Sequence, residues 1–126
     1  NEKIMQYIQK VTGPYDVNSF AVTAAIAAIE DYEYISNYVL QVKNARNWIM
    51  NKFKTINIRS HFSGGNYFLM WPNKEPNKLE KEMREKGILI RNMKNKKFIE
   101  RSIRVSIGTK EQMELFWRIY KELDLY

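Results

Sequence analysis

Apolar residues return to one helical face from Val22 to Phe53, and this run constrains the fold more than any other feature of the chain. Val22, Ala25, Ile26, Ile29, Tyr32, Ile35, Val39, Val42, Ile49 and Phe53 keep the spacing of an amphipathic helix. One straight helix from Ser19 to Lys54 would be about 54 Å long at 1.5 Å per residue. A compact globule of 126 residues has a radius of gyration near 14 Å, a diameter of roughly 36 Å. The helix therefore either bends or projects beyond its own domain, and Tyr32 to Tyr34 is the expected bend. A helix of that length also implies a second body to pack against.

Around it the elements fall in a definite order. Glu2 to Lys10 reads as a short helix with Ile4, Met5 and Ile8 on one side, ended by Gly13-Pro14. Asp16, Asn18 and Ser19 are all candidate N-caps for the next helix. After Lys54 the period changes to two. Ile56 to Arg59 alternates through to Phe62, Ser63-Gly64-Gly65 turns, and Tyr67 to Trp71 is an apolar strand stopped by Pro72. Asn77 to Lys86 is a helix with Leu79 and Met83 inward, closed by Gly87 as its C-cap. Ile88 to Arg91 is a third strand and Ser102 to Ile107 a fourth. Thr109 and Gln112 form a capping box for a last helix whose inward stripe is Met113, Phe116, Trp117, Tyr120 and Leu123. The expected fold is α+β: a long N-terminal helix, bent or projecting, on a small, mainly antiparallel sheet of about four strands, with further helices on one face. The length fits a single domain over residues 1–126.

Composition excludes several classes. With no cysteine and one histidine, neither a thiolate site nor a zinc cluster can be built, so no metal is expected. The apolar run Phe20 to Ile29 is too short to span a bilayer, and no signal segment opens the chain. A cytoplasmic protein is the expectation, and a chain beginning at Asn1 reads as a processed or cut piece. The net charge of +7 raises the possibility of an anionic partner. Lys78 to Lys86 alternates in sign, however, as a solvated helix face does, and the one dense basic cluster is Lys94, Lys96 and Lys97. Tyr67, Phe68, Trp71, Phe116, Trp117 and Tyr120 fall at core periods, not spread among cations as a single-strand RNA binder would need, so nucleic acid is not the expected partner. A basic α+β nucleic-acid module remains the rival from another class, marked by a steep salt dependence of binding.

Few residues can carry chemistry. Ser63-Gly64-Gly65-Asn66 is too short for a phosphate loop and reads as a turn. His61 reads as a strand-edge residue. Arg91 and Arg104 stand out, each in an otherwise apolar strand and equally far from the centre of the loop between them. If these strands pair, the two guanidinium groups face each other, which is unfavourable unless an anion bridges them. A guanidinium fork matches a carboxylate or phosphate in two parallel hydrogen bonds. The plain alternative is that both face water at a sheet edge.

Four segments carry a family resemblance. Pro14 to Ser19 with the Ala-rich helix Ala21 to Asp31 resembles the opening of the small domain of histidinol-phosphate aminotransferases and their relatives. Gly65-Asn66-Tyr67-Phe68-Leu69 resembles that family's Asn-Phe strand, and Gly87-Ile88-Leu89-Ile90-Arg91-Asn92 its Gly-Ile-Leu-Val-Arg segment. Ile103 to Thr109 resembles its Leu-Arg-Ile-Thr-Val-Gly-Thr segment. Order and spacing agree over nearly the whole chain. There are two departures: Asp16 stands where Asn is commoner, and the loop Met93 to Arg101 is unusually basic.

The resemblance implies the C-terminal small domain of a pyridoxal-phosphate enzyme, a homodimer in amino-acid biosynthesis with active sites between large and small domains. It implies that Arg104, assisted by Arg91, holds the anionic group of a small-molecule substrate. The catalytic lysine, the aspartate at the pyridine nitrogen and the phosphate cup would lie in the large domain, so no catalytic or cofactor-binding residue is expected in this chain. The isolated chain is expected to bind no cofactor and to be inactive. The implied reaction moves an amino group between an amino acid or amino-alcohol phosphate and a 2-oxo acid. A related decarboxylase acting on an amino-acid phosphate would share these motifs.

Overall fold

A computed structural model describes residues 1–11 and 17–126. The helix stop at Gly13-Pro14, the candidate cap Asp16 and the segment Pro14-Tyr15-Asp16 lie outside the described residues. The chain divides into two compact units, Asn1–Asn37 and Tyr38–Tyr126.

In the first unit, α1 (Glu2–Gln9) is capped by the Asn1 side chain, which accepts from the Lys3 N–H at 3.1 Å. Helix α2 (Ser19–Glu30) is capped by Asn18, whose Oδ1 accepts from the Ala21 N–H at 2.8 Å. Neither helix contains a buried residue: Phe20 is 89% and Ile29 77% exposed. The expected single helix is instead two, because Asp31 interrupts it one residue ahead of the predicted bend. At φ −86°, ψ 70° Asp31 leaves the helical region, and its Oδ1 accepts from the Tyr34 N–H at 3.0 Å. An Asp side chain that satisfies the next turn's free N–H competes with helix continuation. Helix α3 (Tyr32–Thr55) starts there, and the division between units falls within it, after Asn37.

The second unit holds the sheet. β1 (Ser60–Phe62), β2 (Tyr67–Met70), β3 (Arg91–Asn92) and β4 (Ile103–Ser106) form one antiparallel sheet in the order β1-β2-β4-β3. Two expected strands are shorter than their sequence pattern. Ile56 to Arg59 lies outside β1 because α3 stops in a left-handed turn at Asn57 (φ 53°), although Ile56 and Ile58 still pack on the core. Ile88 to Ile90 lies outside β3 because the end of α4 (Pro76–Glu85) claims the Ile88 N–H. With Gly87 at φ 80°, that N–H reaches the Met83 carbonyl at 2.9 Å and the Gly87 N–H the Arg84 carbonyl at 2.9 Å, the paired bonds of a Schellman cap.

One face of the sheet carries the core. Phe68, Met70, Ile103, Val105 and Ile107 pack with Ala45, Ile49 and Phe53 of α3, Leu79 and Met83 of α4, and Met113, Phe116, Trp117, Ile119 and Tyr120 of α5 (Lys110–Asp124). The Phe53 ring lies 5.4 Å from those of Phe68 and Trp117, and 5.8 Å from that of Tyr120. Burying one such ring contributes about 2–3 kcal/mol. The Thr109–Gln112 capping box opens α5 as expected. At its other end, Asp124 accepts from the backbone N–H groups of Asn73 (3.0 Å) and Lys74 (2.6 Å) and from the Tyr120 hydroxyl (2.7 Å). Burial and this carboxylate push the Tyr120 phenol far above its ordinary value of 10, so it stays a donor.

Candidate functional site: the outer face of the sheet

In a strand, successive side chains point to opposite faces, and directly paired residues share a face. Because Ile103 and Val105 are buried in the core, Arg104 points outward. Arg104 pairs directly with Arg91 on one side and Leu69 on the other, and Leu69 pairs with His61. The row across the sheet is therefore His61, Leu69, Arg104, Arg91. The strand pairing expected from the sequence brings the two arginines opposite each other, on the outer face.

Among the described residues neither arginine has an ion-pair partner; the ion pairs present are Lys74–Glu82, Lys86–Glu122 and Lys110–Glu114. Two like charges at neighbouring positions, with no carboxylate to neutralise them, leave ten N–H donors available to a ligand. Arg104 is half-buried and its guanidinium lies over the Tyr67 ring, 5.4 Å from the centroid. The same arrangement recurs toward β1, where Arg59 lies over the Trp71 ring at 4.0 Å. His61 is exposed on the edge strand.

Two aromatic residues thus differ from expectation. Tyr67 and Trp71 are half-buried partners of arginine rather than core. The signal was present: Tyr67, Leu69 and Trp71 share one parity of β2 and Phe68 and Met70 the other. An unbroken apolar run hid that alternation.

The connection from β3 to β4 borders this face. It carries Lys94, Lys96, Lys97 and Arg101, all exposed, with Phe98 82% exposed. Phe98 (φ 73°) and Arg101 (φ 64°) adopt left-handed backbone, which costs about 1 kcal/mol or more for a residue with a Cβ. Phe98 and Ile99 join Arg59, His61, Leu69 and Trp71 around a cleft of about 350 Å³.

A helix-backed antiparallel sheet with two arginines paired across its outer face defines an α+β unit, and comparison with known proteins places it. Residues 1–118 match the family profile described as aminotransferase class I and II, and the chain belongs to that family. It is 31% identical over 115 residues to a histidinol-phosphate aminotransferase of Desulfotalea psychrophila, covering 91% of this chain and 30% of that protein. To one of Clostridium botulinum it is 35% identical over 103 residues, 81% of this chain and 29% of the relative. The chain therefore spans about a third of the length of the curated relatives it matches. Among solved structures, the histidinol-phosphate aminotransferase of Clostridium acetobutylicum superposes with a TM-score of 0.73 at 26% identity, over 98% of this chain and 38% of that one. The L-threonine-O-3-phosphate decarboxylase of Porphyromonas gingivalis shares the fold, with a TM-score of 0.63 at 22% identity over 97% of this chain and 39% of that one.

Proposed function

We propose that the intact protein is a cytoplasmic pyridoxal-phosphate-dependent aminotransferase. It moves an amino group between an amino acid or amino-alcohol phosphate and a 2-oxo acid, and this chain supplies its substrate-anion clamp. The observation that carries the reading is the register pair Arg91–Arg104 without a carboxylate partner among the described residues. Arg104 donates two parallel N–H bonds to the phosphate or carboxylate of the substrate, and Arg91 neutralises the remaining charge. Because Ile103 and Val105 anchor β4 in the core, the anion is held at a fixed place on a rigid element, which orients the rest of the substrate.

The cofactor, when bound, supplies an electron sink. Its Schiff-base lysine must be desolvated to be reactive at neutral pH, and no lysine among the described residues is buried. That chemistry is assigned to the remainder of the intact protein, a large domain, with a second subunit completing a homodimer. Unit Asn1–Asn37, with no buried residue in α1 or α2, supplies apolar surface suited to such partners.

Kinetics of the full-length protein with L-histidinol phosphate and 2-oxoglutarate test the assignment. A charge-assisted hydrogen bond contributes about 1.5–3 kcal/mol, so Arg104→Ala should raise KM roughly 10- to 150-fold with an unchanged circular-dichroism spectrum. Arg104→Lys, a point charge without the fork, should recover part of the loss. Unchanged KM in Arg104→Ala removes the clamp assignment. Product analysis with amino-acid phosphates distinguishes transfer of the amino group from release of carbon dioxide.

A further inference from the structure

The reading of Arg104 as an anion holder leaves open what aims its side chain. An arginine has several rotatable bonds, and on an exposed sheet face it samples many directions unless something fixes it. Arg104 has no carboxylate partner among the described residues, and the contact the structure gives its guanidinium is the Tyr67 ring.

The register explains how that contact arises. Leu69 stands opposite Arg104 and Tyr67 opposite Ser106, so Tyr67 and Arg104 are diagonal neighbours on the outer face. Diagonal pairs lie within reach only of aromatic and long side chains, and these two are such a pair. A guanidinium held beside a ring by cation–π attraction engages no hydrogen-bond partner in doing so. Its N–H donors lie in its plane and stay available to a ligand. The contact therefore restricts the arginine without spending the groups that bind an anion.

A second observation concerns the place of the ring itself. A Cβ at Gly65 would lie 2.9 Å from Tyr67 Cε1 and 3.2 Å from Cδ1, whereas one at the adjoining Gly64 would meet nothing within 4 Å. The missing side chain at Gly65 leaves the space that the Tyr67 ring occupies. Only one glycine of the pair is thus required for room, and it is the one against the ring.

We propose that Tyr67 is a positioning residue for Arg104, and that Gly65 is part of the same device by leaving space for its ring. This rests on the anion-clamp reading and adds to it the group that pre-orients the clamp. The ring face does the work, so the hydroxyl is dispensable and the aromatic plane is not.

The test measures binding of inorganic phosphate to the full-length protein by calorimetry, with pyridoxal phosphate saturating. A cation–π contact at a partly exposed site corresponds to roughly 3- to 10-fold in a dissociation constant. Tyr67→Leu should weaken phosphate binding by that factor, and Tyr67→Phe should bind as the wild type. Gly65→Ala, which pushes the ring aside, should fall between them. In an Arg104→Ala background, Tyr67→Leu should cost nothing further, because the group it positions is gone. Equal losses in both backgrounds would overturn the proposal, since Tyr67 would then act on the ligand or the fold directly. Unchanged binding in Tyr67→Leu while Arg104→Ala is impaired would overturn it and leave the clamp standing. If Arg104→Ala itself binds phosphate normally, the clamp reading fails and takes this proposal with it.

Discussion

Replacing Arg91 by glutamine should move stability and anion binding in opposite directions, and the sizes follow from its pairing. Arg91 stands directly opposite Arg104 and has no carboxylate partner among the described residues, so the ligand-free protein carries an uncompensated like-charge pair. Such a cross-strand pair is destabilising by about 0.2–1 kcal/mol. Arg91→Gln removes the repulsion and keeps a polar side chain of similar reach. Hydrogen exchange of the β4 amides Ile103–Ser106 in phosphate-free buffer should then slow by roughly 1.4- to 5-fold. Added anion reverses the order. Phosphate at ten times its dissociation constant stabilises the wild type by about 1.4 kcal/mol; a variant binding ten times more weakly gains only about 0.4 kcal/mol. Exchange in the variant should therefore respond much less to phosphate. Faster exchange without phosphate, together with an undiminished response to it, would refute the claim that these two charges share one ligand.

Two further substitutions probe the scaffold. Thr109→Ala removes the acceptor of the Gln112 N–H, so α5 should lose about 1 kcal/mol, seen as faster exchange in its first turn; unchanged exchange at Gln112 would show that the box contributes nothing. Glu82 is held below its ordinary value of 4.5, chiefly by the hydrogen bond from Lys74 Nζ at 2.7 Å. Its contribution is complete above pH 4.5 and is lost as pH falls through the lower folded value. The difference in melting temperature between wild type and Glu82→Gln should be constant above that point and narrow below it, and a difference that stays flat into acid counts against the ion pair.

The candidate site was more legible than the ends of its elements. Arg91 and Arg104 could be placed opposite each other by counting, because an antiparallel pair joined by one loop has its register set by distance from the loop's centre. The Thr109–Gln112 cap was equally readable, since a capping box is complete within four residues. Segment ends were harder. Ile56 to Arg59 and Ile88 to Ile90 alternate as strands do, yet helix stops at Asn57 and Gly87 claimed the backbone first.

What the sequence determined by itself is whatever short-range chemistry decides: which stretches are helical, where caps sit, which residues alternate, and the family those patterns spell. Only the tertiary structure decided which parity of β2 meets the helices, and so which aromatic rings are core and which lie under arginine. Tyr67 and Phe68 are both apolar enough for either face. The packing of α3 and α5 against Phe68 turned Tyr67 outward to Arg104, a choice made by contacts far apart in the chain.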